Sequence, residues 1–319
     1  MPAVTASAPG KIILFGEHAV VYGRPAIAVP VTQVKARAVV SAAPGSAAGQ
    51  VLIEAPSIHQ QAYLADLAAD DPLKKALTLA LEHLQISRPP ACKVRIGSTI
   101  PVAAGLGSGA AVSVALLRAF SAFLGHPLPD EVVNALAFEV EKLHHGTPSG
   151  IDNTVITYAR PVFFQRREGG NLIETFPSPQ PFTVLVADTG VPSPTAAAVG
   201  DVRRAWQQDP PRYEALFDRA GELTRAARKA IEAGKPHELG PLMDANHALL
   251  QEMGVSSPEL ERLVQAARAA GALGAKLSGG GRGGNMIALV EADQVEAVSQ
   301  ALLGAGAARA FMTRVEAQG

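Results

Sequence analysis

A glycine-rich segment between a predicted strand and a predicted helix has the composition of a phosphate-binding loop. The segment is PVAAGLGSGAA, residues 101–111. It follows the alternating apolar positions of a strand at 92–96 and precedes an apolar stripe typical of a helix at 111–124. Backbone N–H groups at a helix N-terminus lack partners and carry partial positive charge, and glycine lets a ligand approach them closely. Phosphate is the anion that such a site favours.

This loop lacks the spacing of two common nucleotide-binding motifs. The chain contains no G-x-x-x-x-G-K-[ST] sequence, and Ala110 stands where a G-x-G-x-x-G loop would need its third glycine. A glycine-rich turn that binds no ligand is the ordinary alternative. The loop alone therefore leaves both explanations open.

Polar residues elsewhere in the chain could complete a site for phosphoryl transfer. Lys11, Glu17 and His18 surround the end of one apolar strand, Glu141 lies near the end of a predicted helix, and Asp152 follows a Gly-Thr-Pro-Ser-Gly turn. Mg²⁺ prefers oxygen ligands and is often held by one or two carboxylates together with nucleotide phosphates. A separate carboxylate can orient and deprotonate an attacking hydroxyl. Each residue also has an ordinary explanation as a solvated strand edge, an exposed helix face or a turn former.

A second glycine cluster, KLSGGGRGG at 276–284, joins a predicted helix to a strand at 286–290. Glycines around one arginine, leading directly into a buried strand, indicate close backbone approach to a ligand or to the first glycine loop. Gly280 lies in the middle of this cluster. The alternative is a loose connection without a ligand.

The elements that must position these residues form two groups along the chain. Apolar periodicity predicts a strand at 4–15 interrupted at Pro9-Gly10, and a helix at 130–145. The proline-rich stretch 177–181 is the most linker-like, so we place a domain boundary there, with domains at 1–180 and 181–319. The second part is predicted to contain a strand, several helices, a strand, a helix and a strand, which indicates an α+β fold.

Composition argues against several kinds of binding partner and against a disulfide bond. The formal net charge of the 319 residues is −1, so we expect no nucleic-acid partner. No apolar run approaches the ~20 residues of a membrane span, and no signal sequence is evident at the N-terminus, which predicts a cytoplasmic protein without a membrane partner. Cys92 is the only cysteine, so an intramolecular disulfide is impossible, and its place in an apolar strand predicts a buried, inert thiol.

Four segments together resemble the GHMP small-molecule kinases. They are APGKIILFGEHAVVYG (8–23), PVAAGLGSGAAVSVALL (101–117), HGTPSGIDN (145–153) and AKLSGGGRGGNMIAL (275–289). The resemblance implies an ATP-dependent kinase with an N-terminal α/β domain and a C-terminal ferredoxin-like domain. It also implies an active site in the cleft between the two domains.

The resemblance assigns a role to each candidate residue. Asp152 matches the residue that handles the acceptor hydroxyl, and Lys11 matches the amine beside it. Glu141 matches a Mg²⁺ ligand, with Ser108 as a further candidate. The residues matched to ATP binding are Pro101, Ala104, Gly105, Leu106, Gly107, Ser108, Gly109 and Ala110. The residues matched to acceptor binding are Glu17, His18, Thr195 and Gly280.

One departure from the family pattern affects the metal site. The family usually has two serines after Gly-Leu-Gly, the second being a metal ligand, and here that position is Gly109. Within the family, GEHAVVYG and HGTPSGIDN are most similar to the mevalonate kinases, so mevalonate is the acceptor that the resemblance implies. Phosphomevalonate, homoserine and sugar kinases, and a non-catalytic nucleotide-binding relative, are the alternatives. The oligomeric state stays open, with a homodimer among the possibilities.

Overall fold

A computed structural model describes residues 3–101, 105–145, 148–193 and 195–317, apart from the side chains of His144 and His145. The described residues form two compact units that interleave along the chain. The first contains residues 3–10, 34–101, 106–145 and 148–159, and the second contains residues 11–33, Gly105 and most of the chain from 160 onward. The boundary at 180 and 181 that the sequence suggested stays a prediction.

The first unit combines a mixed sheet with a cluster of helices. Its strands and helices are β3 (Val51–Ala55), β4 (Gln60–Tyr63), α1 (Pro72–His83), β5 (Cys92–Ser98), α2 (Ser108–Phe123), α3 (Asp130–His145) and α4 (Ile151–Tyr158). Two long strands, β1 (Val4–Phe15) and β2 (Pro25–Ala42), are shared with the second unit. The second half of β2 pairs antiparallel with β5, which pairs in parallel with β3. Strand β3 in turn pairs antiparallel with β4.

Strand β1 corrects one expectation, because it runs without a break through Pro9 and Gly10 to Phe15. A proline is tolerated where its missing N–H would not join the ladder. Strand β1 leads directly into the turn that carries Glu17 and His18.

The second unit has an antiparallel sheet covered by helices. Its elements are β6 (Val162–Gln165), β7 (Leu172–Thr175), β8 (Phe182–Asp188), α5 (Thr195–Gln208), α6 (Pro210–Glu232), α7 (Leu239–Glu252), α8 (Pro258–Ala269), β9 (Gly274–Ser278), β10 (Asn285–Val290), α9 (Val295–Gly304) and β11 (Arg309–Val315). The sheet order is β11-β8-β10-β9, with antiparallel neighbours throughout. The first half of β2 pairs with β6, and β6 pairs with β7. The predicted α+β class is confirmed.

Buried apolar side chains from the sheet and helices form the core of the second unit. Leu185, Leu277 and Ala288 contribute from the strands, and Leu250 and Leu263 contribute from the helices. Burial of such side chains away from water is the main favourable term in folding. The core fixes β9, and the glycines of the second glycine cluster come directly after this strand.

Cys92 lies fully buried in β5, as predicted. Burial raises the pKa of its thiol to about 11, so the thiol is protonated at neutral pH and a weak nucleophile. Separately, within the described ranges, no helix is both long and apolar enough to cross a membrane.

Candidate active site

The glycine loop ends at the N-terminus of α2, as the sequence predicted. Gly107 is the N-cap of this helix with φ 71°, a left-handed conformation that glycine adopts without strain. No side chain caps the helix, and its first turn contains no acidic residue. Its N–H groups and partial positive charge are therefore suited to an anionic group such as a phosphate. Ala104, also predicted to bind the nucleotide, lies outside the described residues.

The helices α2, α3 and α4 of the first unit pack on one another. The side chain of Arg118 in α2 bonds Asp130 at the start of α3, at 2.7 Å, and the carbonyl of Thr157 near the end of α4, at 2.6 Å. A short connection makes α2 and α3 antiparallel neighbours. Asn153 Nδ2 in the first turn of α4 donates to Asn134 Oδ1 in the second turn of α3 at 2.6 Å. These hydrogen bonds join the three helices into one cluster.

Three of the predicted residues lie one on each of these helices. Ser108 is the first residue of α2, Glu141 is in the last turns of α3, and Asp152 is in the first turn of α4. Glu141 is buried, whereas Ser108 and Asp152 are half-buried. Carboxylate and hydroxyl oxygens are the donors that Mg²⁺ prefers, so residues of these types suit the ion that an ATP-dependent kinase would use.

In the second unit, a tight turn after β1 carries Glu17 and His18. Gly16 has φ 94°, and a Cβ at this position would lie 2.3 Å from the carbonyl oxygen of Pro25. Only glycine allows this approach, which directs the next two side chains into the protein. His18 itself has φ 59°, an uncommon conformation for a residue with a side chain. Lys11, four residues upstream of Phe15 in β1, is also buried.

Glu17 forms an ion pair with Lys276 of β9, and both side chains are fully buried. The Lys276 ammonium also donates to the carbonyl of Leu277 at 2.7 Å. Burial raises the pKa of Glu17 and lowers that of Lys276, while the opposite charge of each partner counteracts the shift. The pair fixes the Glu17 carboxylate at a single place beside the predicted acceptor residues.

His18 contacts the second glycine cluster. Its Nε2 lies 3.0 Å from the carbonyl oxygen of Gly280, which can only accept, so Nε2 carries the proton and Nδ1 offers a lone pair. Burial, aided by the charge of Arg282, lowers the pKa of His18, so the ring is neutral at pH 7. Within the described ranges, neither His18 Nδ1 nor Glu17 Oε2 has a hydrogen-bond partner, although both atoms are buried. Buried polar atoms without a partner are uncommon in folded proteins, and a bound ligand or water molecule is the usual explanation.

Thr195, the first residue of α5, completes this group. A Cβ on Gly280 would lie 2.8 Å from Thr195 Oγ1 and 2.9 Å from its Cα, so the two residues are in close contact. Ser193 donates to the carbonyl of Gly281 at 2.8 Å and holds the same segment. The structure thus brings Glu17, His18, Thr195 and Gly280 together in the second unit.

Lys276 is the residue of this group that the sequence did not predict. It lies at the start of the KLSGGGRGG cluster, and its position directly before the glycines is the signal that could have identified it. A lysine in a five-residue strand otherwise suggests an exposed side chain.

Comparison with known proteins decides the family. The family model described as GHMP kinases N terminal domain matches residues 72–160, and the model described as GHMP kinases C terminal matches residues 227–308. The chain belongs to the GHMP kinases. Membership in this family makes it an ATP-dependent kinase.

The similarity to curated relatives and to a solved structure covers nearly the whole of this GHMP kinase. Mevalonate kinase of Pyrococcus horikoshii is 36% identical, with 99% of this chain and 96% of the relative covered. Mevalonate kinase of Thermococcus onnurineus is 37% identical, with 95% and 94% covered. The crystal structure of L. major mevalonate kinase in complex with R-mevalonate is 35% identical, has a TM-score of 0.85, and covers 99% of this chain and 96% of that one.

The close contact between Gly280 and Thr195 predicts that a methyl group added at Gly280 lowers the stability of the fold. We expect Gly280→Ala to lower the free energy of unfolding by about 1–3 kcal/mol, because an overpacked site must displace the start of α5. Urea titration of the purified variant measures this loss. Gly304→Ala is the matched control, because a Cβ there meets no atom within 4 Å and we expect no loss. Equal stability of the two variants would show that Thr195 moves without cost.

Proposed function

We propose that this chain transfers the γ-phosphoryl group of ATP to the primary hydroxyl of mevalonate and releases 5-phosphomevalonate. The observation that supports the proposal is the buried group around Glu17 and His18, where a neutral lone pair and a carboxylate oxygen have no partner among the described residues and would suit a polar acceptor. The likeness to mevalonate kinases, one of them solved with R-mevalonate, supports the choice of acceptor.

The nucleotide would be held by the glycine loop and the start of α2. Pro101 and residues 105–110 belong to this loop or to the first turn of α2, where no side chain caps the helix. Glu141 and Ser108 would hold Mg²⁺, with Ser108 as the hydroxyl ligand because Gly109 has no side chain. When bound, the ion neutralises negative charge on the transferring phosphoryl group.

Asp152 would act on the acceptor hydroxyl. Asp152 lies in the first turn of α4, and a carboxylate held there could accept the hydroxyl proton as the oxygen attacks. Lys11 would stabilise charge on the transferring group. In such a reaction, positioning and electrostatics supply most of the rate.

The acceptor residues favour an alcohol over a phosphorylated or cationic substrate. His18 is neutral, and the charge of Lys276 is already balanced by Glu17. Arg24 donates to Asp218 at 2.8 Å and to Glu214 at 2.5 Å, and Arg282 pairs with Asp201. A phosphorylated acceptor would bring a phosphate group of its own. Binding that group would require a cation not already paired with a carboxylate, since phosphate recognition rests on charge-assisted hydrogen bonds. Mevalonate requires only a few polar partners.

The choice of acceptor gives the most direct test of this function. We expect kcat/KM for mevalonate to exceed that for phosphomevalonate or homoserine at least ~100-fold, about 2.7 kcal/mol in transition-state binding. A coupled assay of ADP release against this panel, with the product identified by mass, provides the measurement. If phosphomevalonate is the better acceptor, the family assignment stands and the proposed substrate is wrong.

The role of Asp152 predicts a large effect on turnover. Asp152→Asn should lower kcat by ~10²-fold or more, the usual scale for a general base, and leave ATP affinity almost unchanged. Asp70→Asn makes the same chemical change at an exposed position and serves as the control. Turnover of Asp152→Asn close to that of the unaltered enzyme would mean that Asp152 serves only the turn before α4.

A further inference from the structure

Helix α7 lies unusually close to β9, the edge strand that carries Lys276. A Cβ on Gly274 would lie 2.1 Å from the carbonyl oxygen of Gly240, and a Cβ on Gly240 would lie 2.3 Å from the carbonyl oxygen of Leu273. Gly240, Asp244 and His247 follow one face of α7 at intervals of four and three residues. The glycine contact therefore brings the side chains of Asp244 and His247 to the edge of the sheet.

The outward backbone groups of β9 are bonded by side chains instead of another strand. On the inner side, β9 pairs with β10. On the outer side, Ala275 N–H donates to Asp244 Oδ1 at 2.9 Å, and the carbonyl of Ala275 accepts from Arg268 Nη2 at 2.8 Å. Arg268 and Asp244 also bond each other, with Nε 2.8 Å from Oδ1. One pair of side chains thus closes the strand edge at Ala275.

His247 bonds the strand edge two residues later, at Leu277. Its N–H donates to His247 Nδ1 at 3.3 Å, and His247 Nε2 lies 3.1 Å from Glu261 Oε1. Since Nδ1 accepts from a backbone N–H, the neutral ring carries its proton on Nε2, the nitrogen close to the carboxylate. Glu261 is itself held by Ser256 and by Gln251 Nε2, the latter at 2.6 Å.

The residue bonded by His247 also holds Lys276. The carbonyl of Leu277 accepts from Lys276 Nζ, which pairs with Glu17. A continuous series of polar contacts therefore runs from Glu261 through His247 and Leu277 to Lys276 and Glu17. Burial lowers the pKa of His247, and although Glu261 opposes this shift, the charges of Arg268 and Lys276 reinforce it. The neutral ring needed to accept from Leu277 is thus favoured.

We propose that His247 is a positioning residue for the acceptor site. Its Nδ1 fixes the peptide group of Leu277 by accepting from the backbone N–H. The carbonyl of Leu277 in turn holds the Lys276 ammonium in the place where it pairs with Glu17. This inference rests on the proposed function only for the identity of the acceptor. His247 lies on α7, and its effect on the acceptor passes through the backbone of β9.

Two isosteric substitutions separate this role from general stability. Asparagine places its amide where Nδ1 lies, whereas glutamine places its amide at the position of Nε2. We expect His247→Asn to keep KM for mevalonate within about threefold of the unaltered enzyme, and His247→Gln to raise it about tenfold or more. Neither should change KM for ATP by more than about twofold. Hydrogen exchange of the Leu277 amide should accelerate in His247→Gln alone.

Asp244→Ala is the matched control, because it removes the equivalent backbone bond at Ala275, two residues from Leu277. We expect it to accelerate exchange of the Ala275 amide and to leave KM for mevalonate within about twofold. The proposal is overturned if both His247 variants have unaltered kinetics, if they raise KM for mevalonate equally, or if KM for ATP rises in parallel. An equal effect of Asp244→Ala would also overturn it.

Failure of the proposed function would give a different result. If the unaltered enzyme does not phosphorylate mevalonate, the substrate is wrong, and the kinetic comparison is repeated with the acceptor that the panel identifies. The exchange rate of the Leu277 amide needs no substrate. Unchanged exchange in His247→Gln would overturn the positioning role whatever the acceptor.

Discussion

The group of predicted acceptor residues depends on one buried ion pair. Glu17 and Lys276 are 259 positions apart in sequence, yet their side chains meet where neither is exposed to solvent. Removing two charges from water costs several kcal/mol per ion, and only good geometry with further hydrogen bonds offsets that cost. The bond from Lys276 to the Leu277 carbonyl supplies part of the compensation. Such a pair is better suited to fixing one arrangement than to adding stability.

Glycine and close backbone contacts make this arrangement possible. Gly16 turns the chain so that Glu17 and His18 face inward, and Gly280 brings its own carbonyl to His18 and its Cα to Thr195. On the other side of the strand, Gly240 and Gly274 let α7 approach β9. Each of these positions is too close to neighbouring backbone for a residue with a side chain. Together the contacts bury polar atoms that a less closely packed chain would leave in water.

Local sequence patterns predicted the elements better than the contacts between distant ones. The alternation in 92–96 and the apolar stripe after 111 correctly indicated β5 and α2, because both signals depend on neighbours within a few residues. Glu17, His18 and Gly280 were singled out by their types and by the family resemblance. Lys276 was missed because its burial depends on a partner at the far end of the sequence. His247 was missed for the same reason, because its partners Leu277 and Glu261 belong to other elements.

The central claim is that Glu17 and Lys276 stabilise each other as a buried pair, and a double-mutant cycle tests it most directly. Unfolding free energies would be measured by urea titration for Glu17→Gln, Lys276→Met and the double variant. We predict that each single substitution costs about 3–5 kcal/mol, because it leaves one buried group without its partner. The double variant should cost clearly less than the sum, with a coupling energy of about 2 kcal/mol or more. Additive losses would contradict the account.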